Sequence, residues 1–238
     1  MRTASSFTIL SNTLFTIVAL GFAVASTPVN AAFLVEIIDP GAPPFTCIDG
    51  NPCDLSDGEG GVIQVLYDVG STTLTLVATT KPALGNAGLP VMIMNVEGIE
   101  TTEDSLVIAA TDTDFTVGAS TGRATLLGAT FEVEGLINVN YHADPANGEF
   151  TGPVFANISQ TLPAVSYTEF ASGAVGALSP GSVSIIATIT DSGLGAIEGF
   201  FSATLDLDDG TGNGGTFPVT DVIGETEAEA ELEAEGFR

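Results

Sequence analysis

Positive charge is nearly missing from this chain. It has 4 Lys and Arg residues against 30 Asp and Glu, which gives a formal net charge of -26. So few cations cannot neutralise a row of phosphates, and this argues against nucleic acid and anionic membrane surfaces as partners. Divalent cations stay open as partners, because they relieve repulsion between carboxylates. Acidity that only keeps an exported chain soluble fits as well.

Catalytic side chains and aromatic rings are also scarce. The chain has 1 His, His142, which we interpret as a surface side chain at the end of a predicted strand. One His and 2 Cys cannot supply the usual ligands of a catalytic zinc ion. With no Trp and 3 Tyr, few rings are present on which sugars could stack. We predict that the protein is not an enzyme.

The first residues resemble a secretory signal peptide. Arg2 precedes the apolar run LFTIVALGFAVA, which is too short to span a bilayer comfortably. Cleavage after Ala25 or after Ala31 fits the small-x-small rule, and the polar segment before Ala31 favours the second position. A retained N-terminal anchor is the alternative. We therefore predict a secreted bacterial protein with a signal peptide at 1–31 and no membrane span after cleavage.

The middle of the chain alternates apolar and polar residues, as half-buried β-strands do. Leu74, Leu76 and Ala78, for example, fall on one side of a strand whose threonines fall on the other. Without a helical stripe, the pattern predicts an all-β fold over 32–207, an antiparallel two-sheet β-sandwich that is jelly-roll-like. The predicted strands are 33–38, 62–69, 72–80, 91–99, 104–111, 125–135, 137–143, 164–171, 182–190 and 198–207.

Two connections between these strands carry turn signals. YDVGSTTL is typical of a hairpin that joins two strands through Val-Gly-Ser at 69–71. KPALGNAGLP at 81–90, with its Pro and Gly residues, predicts a crossing between strands or sheets.

The only two cysteines stand close together in CIDGNPCDLSDGEGG at 47–61. An even cysteine count in an exported chain favours a disulfide between Cys47 and Cys53, and Asp-Gly-Asn-Pro is turn chemistry that brings them together. The spacing matches neither a redox motif nor a zinc knuckle. Metal binding by the polar residues of this stretch stays a second possibility without a known spacing; these residues are Asp49, Asn51, Asp54, Asp57 and Glu59.

Asp112 and Asp114 flank one threonine in SLVIAATDTDFT. If the strand continues through them, they share a face and can share a cation. If it ends there, they form an Asx-type turn that caps it. We predict the turn, because Gly118 and Ser120 follow.

The C-terminal end differs in composition from the rest. ETEAEAELEAEGFR packs like charges so closely that strand and helix are both disfavoured, so we predict an acidic tail over 208–238, disordered or transiently helical. The Gly-rich run that leads into this tail offers oxygen atoms that suit calcium, although its spacing is not that of an EF-hand. A flexible polar linker is the alternative. The candidate calcium ligands are Asp206, Asp208, Asp209 and Asn213.

Several segments together resemble a group of uncharacterised exported bacterial proteins. The most specific are KPALGN at 81–86 and DTDF at 112–115, within a wider order that includes GVIQVLYDVG, PVMIMN, SVSIIATIT and GFFSATLDL. Most members of that group carry a C-terminal PEP-CTERM signal recognised by an exosortase, and this chain lacks it. The resemblance implies an extracellular, matrix or envelope role in a Gram-negative bacterium that makes exopolysaccharide, and it assigns no catalytic residue.

We therefore predict a secreted, non-enzymatic structural or binding protein, with calcium as a candidate ligand. Extracellular polysaccharide and other envelope proteins are its candidate partners. A calcium-dependent carbohydrate-binding module is the alternative. A polysaccharide hydrolase that uses two carboxylates also stays open, because Asp and Glu are plentiful.

Overall fold

Regular structure in the described part of the chain consists of β-strands. The computed structural model describes residues 32–56, 58–81, 83–129, 131–164, 166–191 and 196–208. Within these ranges there is no helix that could cross a membrane. The strands are β1 (Phe33–Ile38), β2 (Phe45–Ile48), β3 (Val62–Val69), β4 (Thr72–Thr79), β5 (Gly85–Asn86), β6 (Leu89–Thr101), β7 (Ser105–Val117), β8 (Ser120–Ala129), β9 (Phe131–Asp144), β10 (Val154–Ala164), β11 (Tyr167–Val175), β12 (Leu178–Asp191) and β13 (Ile197–Asp208).

These strands form two antiparallel sheets. The six-stranded sheet has the order β10-β9-β12-β7-β1-β2, and the seven-stranded sheet has the order β11-β8-β13-β6-β4-β3, with β5 paired to β6. From β6 onward, successive strands alternate between the sheets except at the β9–β10 hairpin, as in a jelly roll. The predicted two-sheet antiparallel β-sandwich is confirmed.

A single hydrophobic core lies between the sheets. Leu74, Leu76 and Ala78 point into it, and the alternate residues of β4 are only partly buried, as their spacing predicted. Full burial of one such aliphatic side chain contributes about 1.5–3 kcal/mol, so the alternating residues account for the packing of the two sheets against each other. The six-stranded sheet supplies matching side chains that include Val35, Ile108, Val139 and Ile185.

Strand boundaries were predicted well where local signals are unambiguous. The predictions at 33–38 and 62–69 coincide with β1 and β3. The predicted hairpin between β3 and β4 is confirmed and turns at Gly70 and Ser71, with Gly70 at φ +62°. The segment 81–90 joins neighbouring strands of one sheet, β4 and β6.

The predicted break between strands at residue 136 was wrong. β9 runs unbroken through Gly135, where a Cβ atom would stand 2.0 Å from the carbonyl oxygen of Thr190. Gly135 therefore marks a close approach of two backbones and not a turn. The prediction at 164–171 was also wrong, since it joined the end of β10 to β11. The strands β2 and β5 and the rest of β10 were missed.

The sandwich is closed on one side by contact between β10 and β11. Gly173 of β11 lies against Phe155 of β10, so that a Cβ atom at Gly173 would stand 1.9 Å from the Phe155 carbonyl oxygen. The Phe155 ring packs in turn over Gly122 of β8. Backbone atoms cannot yield as the end of a flexible side chain can, so this closure requires glycine at position 173.

Substitution of Gly173 should separate the two edges. We expect Gly173→Ala to lower the free energy of unfolding by about 2 kcal/mol or more, because the new methyl group overpacks against backbone. Gly176→Ala is the matched control, because no atom lies within 4 Å of the position that its methyl group would take. Urea unfolding followed by circular dichroism measures both, and equal stability of the two variants would contradict the close approach.

Candidate functional site

A disulfide joins Cys47 and Cys53 and shapes the loop that follows β2. This confirms the predicted pairing. Cys47 is buried in the core, so the bond attaches an exposed turn to the sandwich. The Asp49 Oδ2 atom accepts the Gly61 N–H at 2.8 Å, which holds the two ends of the loop together.

Asp54 organises the same loop through its carboxylate. It accepts hydrogen bonds from the backbone N–H groups of Gly50, Ser56 and Gln64, at 3.1, 2.9 and 3.0 Å. Burial raises the pKa of Asp54, but these N–H groups outweigh burial and the pKa is lowered overall. Asp49 and Asp54 therefore serve as acceptors for backbone turns, and Asp57 lies outside the described residues.

A buried ion pair connects the two sheets next to this loop. Lys81 follows β4 of the seven-stranded sheet, and its Nζ atom is 2.8 Å from Oδ2 of Asp112 on β7 of the six-stranded sheet. The Thr80 hydroxyl donates to the same oxygen at 3.0 Å, and the Thr113 N–H donates to Oδ1 at 2.8 Å. The ammonium also donates to the Thr113 carbonyl and lies 3.8 Å from the Phe115 ring centroid.

The environment of Asp112 acts on its pKa in two directions. The Asp112 side chain is only 3% exposed, and the Lys81 side chain is 16% exposed. Burial raises the pKa of Asp112, and the hydrogen bonds and charge of Lys81 oppose that shift. The pair also joins KPALGN at 81–86 to DTDF at 112–115. These are the two segments that carry most specifically the resemblance to exported bacterial proteins. Sequence reasoning missed the contact, although Lys81 is the only lysine of the chain.

The turn predicted at Asp112 and Asp114 was wrong, because β7 continues to Val117. Asp112 pairs with Val183 and Phe115 pairs with Gly181, which leaves one extra residue in β7. The result is a β-bulge in which Asp114 has φ +64°. Asn147 holds it in place, since its side chain accepts the Asp114 N–H at 2.8 Å and donates to Oδ1 at 2.7 Å.

The loop that carries Asn147 is itself ordered by Asp144. The Thr151 hydroxyl and the Ala146 and Gly148 N–H groups donate to its carboxylate. These bonds lower the pKa of Asp144, with burial acting against them. His142 lies beside this loop near the end of β9, and its Nδ1 atom is 3.0 Å from the Gly152 carbonyl oxygen.

A pocket of about 450 Å³ opens between the disulfide loop and the β5–β6 hairpin. Its volume lies within the range of about 300–1,000 Å³ that small-molecule sites occupy. We call it the loop–hairpin pocket. It combines one buried ion pair, one further carboxylate, one amide and a small apolar wall, and its lining residues are Phe33, Ile48, Asp49, Lys81, Gly85, Asn86, Ala87 and Asp112.

The predicted calcium ligands are only partly within the described residues. Asp206 and Asp208 lie on β13, where Arg123 Nη2 is 2.7 Å from Asp208 Oδ2. Burial raises the pKa of Asp206, Arg123 lowers it, and Asp208 raises it further. In the part of the chain that the structure describes, no group of three or more His, Cys, Asp or Glu side chains could hold a metal ion. Asp209 and Asn213 lie outside that part, so this site stays a prediction.

Removal of the Lys81 charge should lower the free energy of unfolding far more than removal of the exposed charge of Arg123. We expect Lys81→Met to lower the free energy of unfolding by about 3 kcal/mol at neutral pH, because Asp112 keeps a buried charge without its partner. Arg123→Met breaks the ion pair with Asp208 and should cost about 1 kcal/mol or less, since Arg123 is exposed.

The pH dependence of this loss of stability shows whether the unpaired carboxylate of Asp112 causes it. Without Lys81 the folded state binds a proton at Asp112 more readily than the unfolded chain does, so the deficit of Lys81→Met should shrink as the pH falls. Urea unfolding at neutral and mildly acidic pH measures it. Equal losses for the two variants, or a deficit that grows on acidification, would contradict the buried pair.

Comparisons with known proteins return distant likenesses. No protein-family model and no curated protein matches the chain. A carbohydrate-binding module of the β-sandwich superfamily is similar at 15% identity over 75% of this chain and 74% of that one, with a TM-score of 0.32. A cleaved adhesin domain of Lys-gingipain from Porphyromonas gingivalis gives 9% identity over 73% and 91%, with a TM-score of 0.31.

The enzymatically active domain of tailspike protein 4 from bacteriophage CBA120 is also similar. The match has 12% identity and a TM-score of 0.30, and covers 65% of this chain but only 21% of the tailspike chain. Likenesses this distant do not identify the ligand of the present protein. The proposal of a ligand therefore rests on the geometry of the protein itself.

Proposed function

We propose that the protein is an extracellular, non-enzymatic binding protein that holds a neutral saccharide in the loop–hairpin pocket. The observation that carries this proposal is the convergence of Asp49, Asn86 and the Lys81–Asp112 pair around one cavity. A few polar groups at fixed positions in a concave site are typical of small-molecule recognition.

The polar groups of the pocket suit hydroxyl ligands. A hydroxyl group both donates and accepts hydrogen bonds, so it can pair with a carboxylate and with an amide N–H. Asp49 uses Oδ2 for the Gly61 N–H, and Asn86 uses its Oδ1 for the Gly88 N–H, which leaves the Asn86 amide nitrogen as a donor. Phe33 and Ile48 supply apolar surface for the C–H groups of a sugar ring.

The commitments of Asp112 support binding over hydrolysis. Both of its oxygens accept hydrogen bonds within the protein, from Lys81, Thr80 and the Thr113 N–H. A carboxylate held in this way is poorly placed to exchange a proton with a substrate. Hydrolysis by two carboxylates requires two groups that are free to act on the substrate, about 5–9 Å apart. Asp49 is the one other carboxylate among the described residues that line the pocket. With Asp112 held by Lys81, Thr80 and Thr113, one carboxylate is left for the reaction.

The disulfide supports an extracellular location, because such bonds persist in oxidising compartments. An association with polysaccharide matrix or envelope follows naturally from a saccharide ligand. Membership of the PEP-CTERM group and dependence on calcium stay predictions. The dependence on calcium can be measured in the binding experiment that follows.

A glycan array identifies a ligand and titration calorimetry with that glycan measures its affinity. We expect Asp49→Asn to weaken binding by about tenfold or more, since it removes a charged acceptor but keeps an oxygen for the Gly61 N–H. Asp68→Asn is the matched control, because Asp68 is an exposed carboxylate on β3. Binding in EDTA and in calcium would show whether the metal contributes.

Two outcomes would reject the proposal. One is the absence of binding to any neutral glycan with or without calcium. The other is equal affinity of Asp49→Asn and Asp68→Asn for the glycan that the wild type binds.

A further inference from the structure

The outer face of the seven-stranded sheet carries a band of side chains that are uncharged with one exception. One row crosses all six main strands, from the edge strand β11 to the edge strand β3. Its members are Phe170, Thr125, Thr204, Ile93, Thr79 and Val62. Because neighbouring strands are about 4.8 Å apart, this row is about 24 Å long.

Two parallel rows extend the same surface. The second runs from Thr168 on β11 to Gln64 on β3, and the third runs from Glu97 on β6 to Leu66 on β3. Phe200 of β13, at a register shift opposite β6, is counted with the third row. We call the three rows together the neutral band. Glu97 is the one charged side chain among the residues described in them, in a chain that has 30 Asp and Glu.

Charged residues begin at both margins of the neutral band. Arg123 and Asp206 form the next pair on one side. Glu198 pairs with Glu100 on the other side, with Asp68 on the same row at β3. Charged groups thus flank this surface and, apart from Glu97, leave it uncharged, and depletion of charge in the centre of a surface is a mark of binding sites.

The groups within the band combine hydroxyls, amides and apolar side chains. Ser202 donates to Asn95 Oδ1 at 2.6 Å in the centre, Leu127 and Val77 flank this pair on the neighbouring strands, and Thr204 follows Ser202 on the same face. Phe170 and Leu66, at opposite edges of the sheet, are 68% and 65% exposed. They supply apolar surface at the two ends of the band, where a ligand that spans the sheet would reach them.

We infer that the neutral band binds a single chain of an uncharged polysaccharide laid across the strands. Sugar hydroxyls match the hydroxyl and amide groups, and the C–H faces of the rings match the aliphatic and aromatic side chains. The acidic margin formed by Glu198, Glu100 and Asp68 disfavours an anionic polymer, and a net charge of -26 on each copy disfavours pairing of two identical chains. This inference is independent of the loop–hairpin pocket, whose lining residues include none of those in the neutral band.

Depletion assays with insoluble polymers test the inference. The probes are microcrystalline cellulose, insoluble β-1,3-glucan and chitin as neutral polymers, and calcium-free cross-linked pectate as an acidic one. We expect the full chain to bind at least one neutral polymer and not pectate, with equal affinity in about 0.1 M and about 1 M NaCl, because no ion pair is involved.

Thr204→Glu places a carboxylate in the centre of the band and should weaken this binding by about tenfold or more. Thr188→Glu is the matched control, because Thr188 is a partly buried threonine on β12, a central strand of the other sheet. Asp49→Asn distinguishes binding at the neutral band from binding in the pocket, because a polymer bound at the band should keep its affinity in this variant. Phe170→Ser tests the exposed edge if Thr204→Glu fails to fold, as judged by its melting curve.

Three results would overturn the inference. The wild type could bind none of the neutral polymers, or the variants in the band could bind as well as Thr188→Glu does. Sedimentation could instead show that the wild type self-associates and that Thr204→Glu does not, in which case a second copy of the chain occupies this face.

Discussion

The ion pair between Lys81 and Asp112 is the contact on which the candidate site depends. It joins a residue that follows β4 of one sheet to a residue of β7 in the other. Burial of two charges is costly, and here the hydroxyl of Thr80, the backbone of Thr113 and the ring of Phe115 compensate for the lost water. The pair therefore fixes the floor of the pocket with little freedom to rearrange.

Acidic residues in this protein have two distinct uses. Some accept backbone N–H groups and thereby hold loops, as Asp49, Asp54 and Asp144 do. Others stand on the surface around the neutral band and leave its centre uncharged. The acidic residues therefore do more than give the chain its large negative charge, because several of them order loops, including the disulfide loop beside the pocket.

Features set by local signals could be predicted from the sequence, and features set by distant contacts could not. Alternation identified β1, β3 and β4, and the turn between Cys47 and Cys53 identified the disulfide. Gly135 misled the strand prediction because a glycine at a turn and a glycine under a neighbouring backbone look alike in one sequence. The Lys81–Asp112 pair and the bulge at Asp114 depend on pairing across 31 and 33 residues, which no local pattern records.

The lone lysine makes the central claim directly measurable. In uniformly ¹⁵N-labelled protein, Lys81 gives one ammonium resonance, free of overlap from other lysines. We predict a signal protected from exchange with water, with contacts to the Phe115 ring protons, that shifts when the saccharide ligand is added. An ammonium that exchanges as fast as a free lysine side chain and shows no contact with that ring would contradict the buried ion pair.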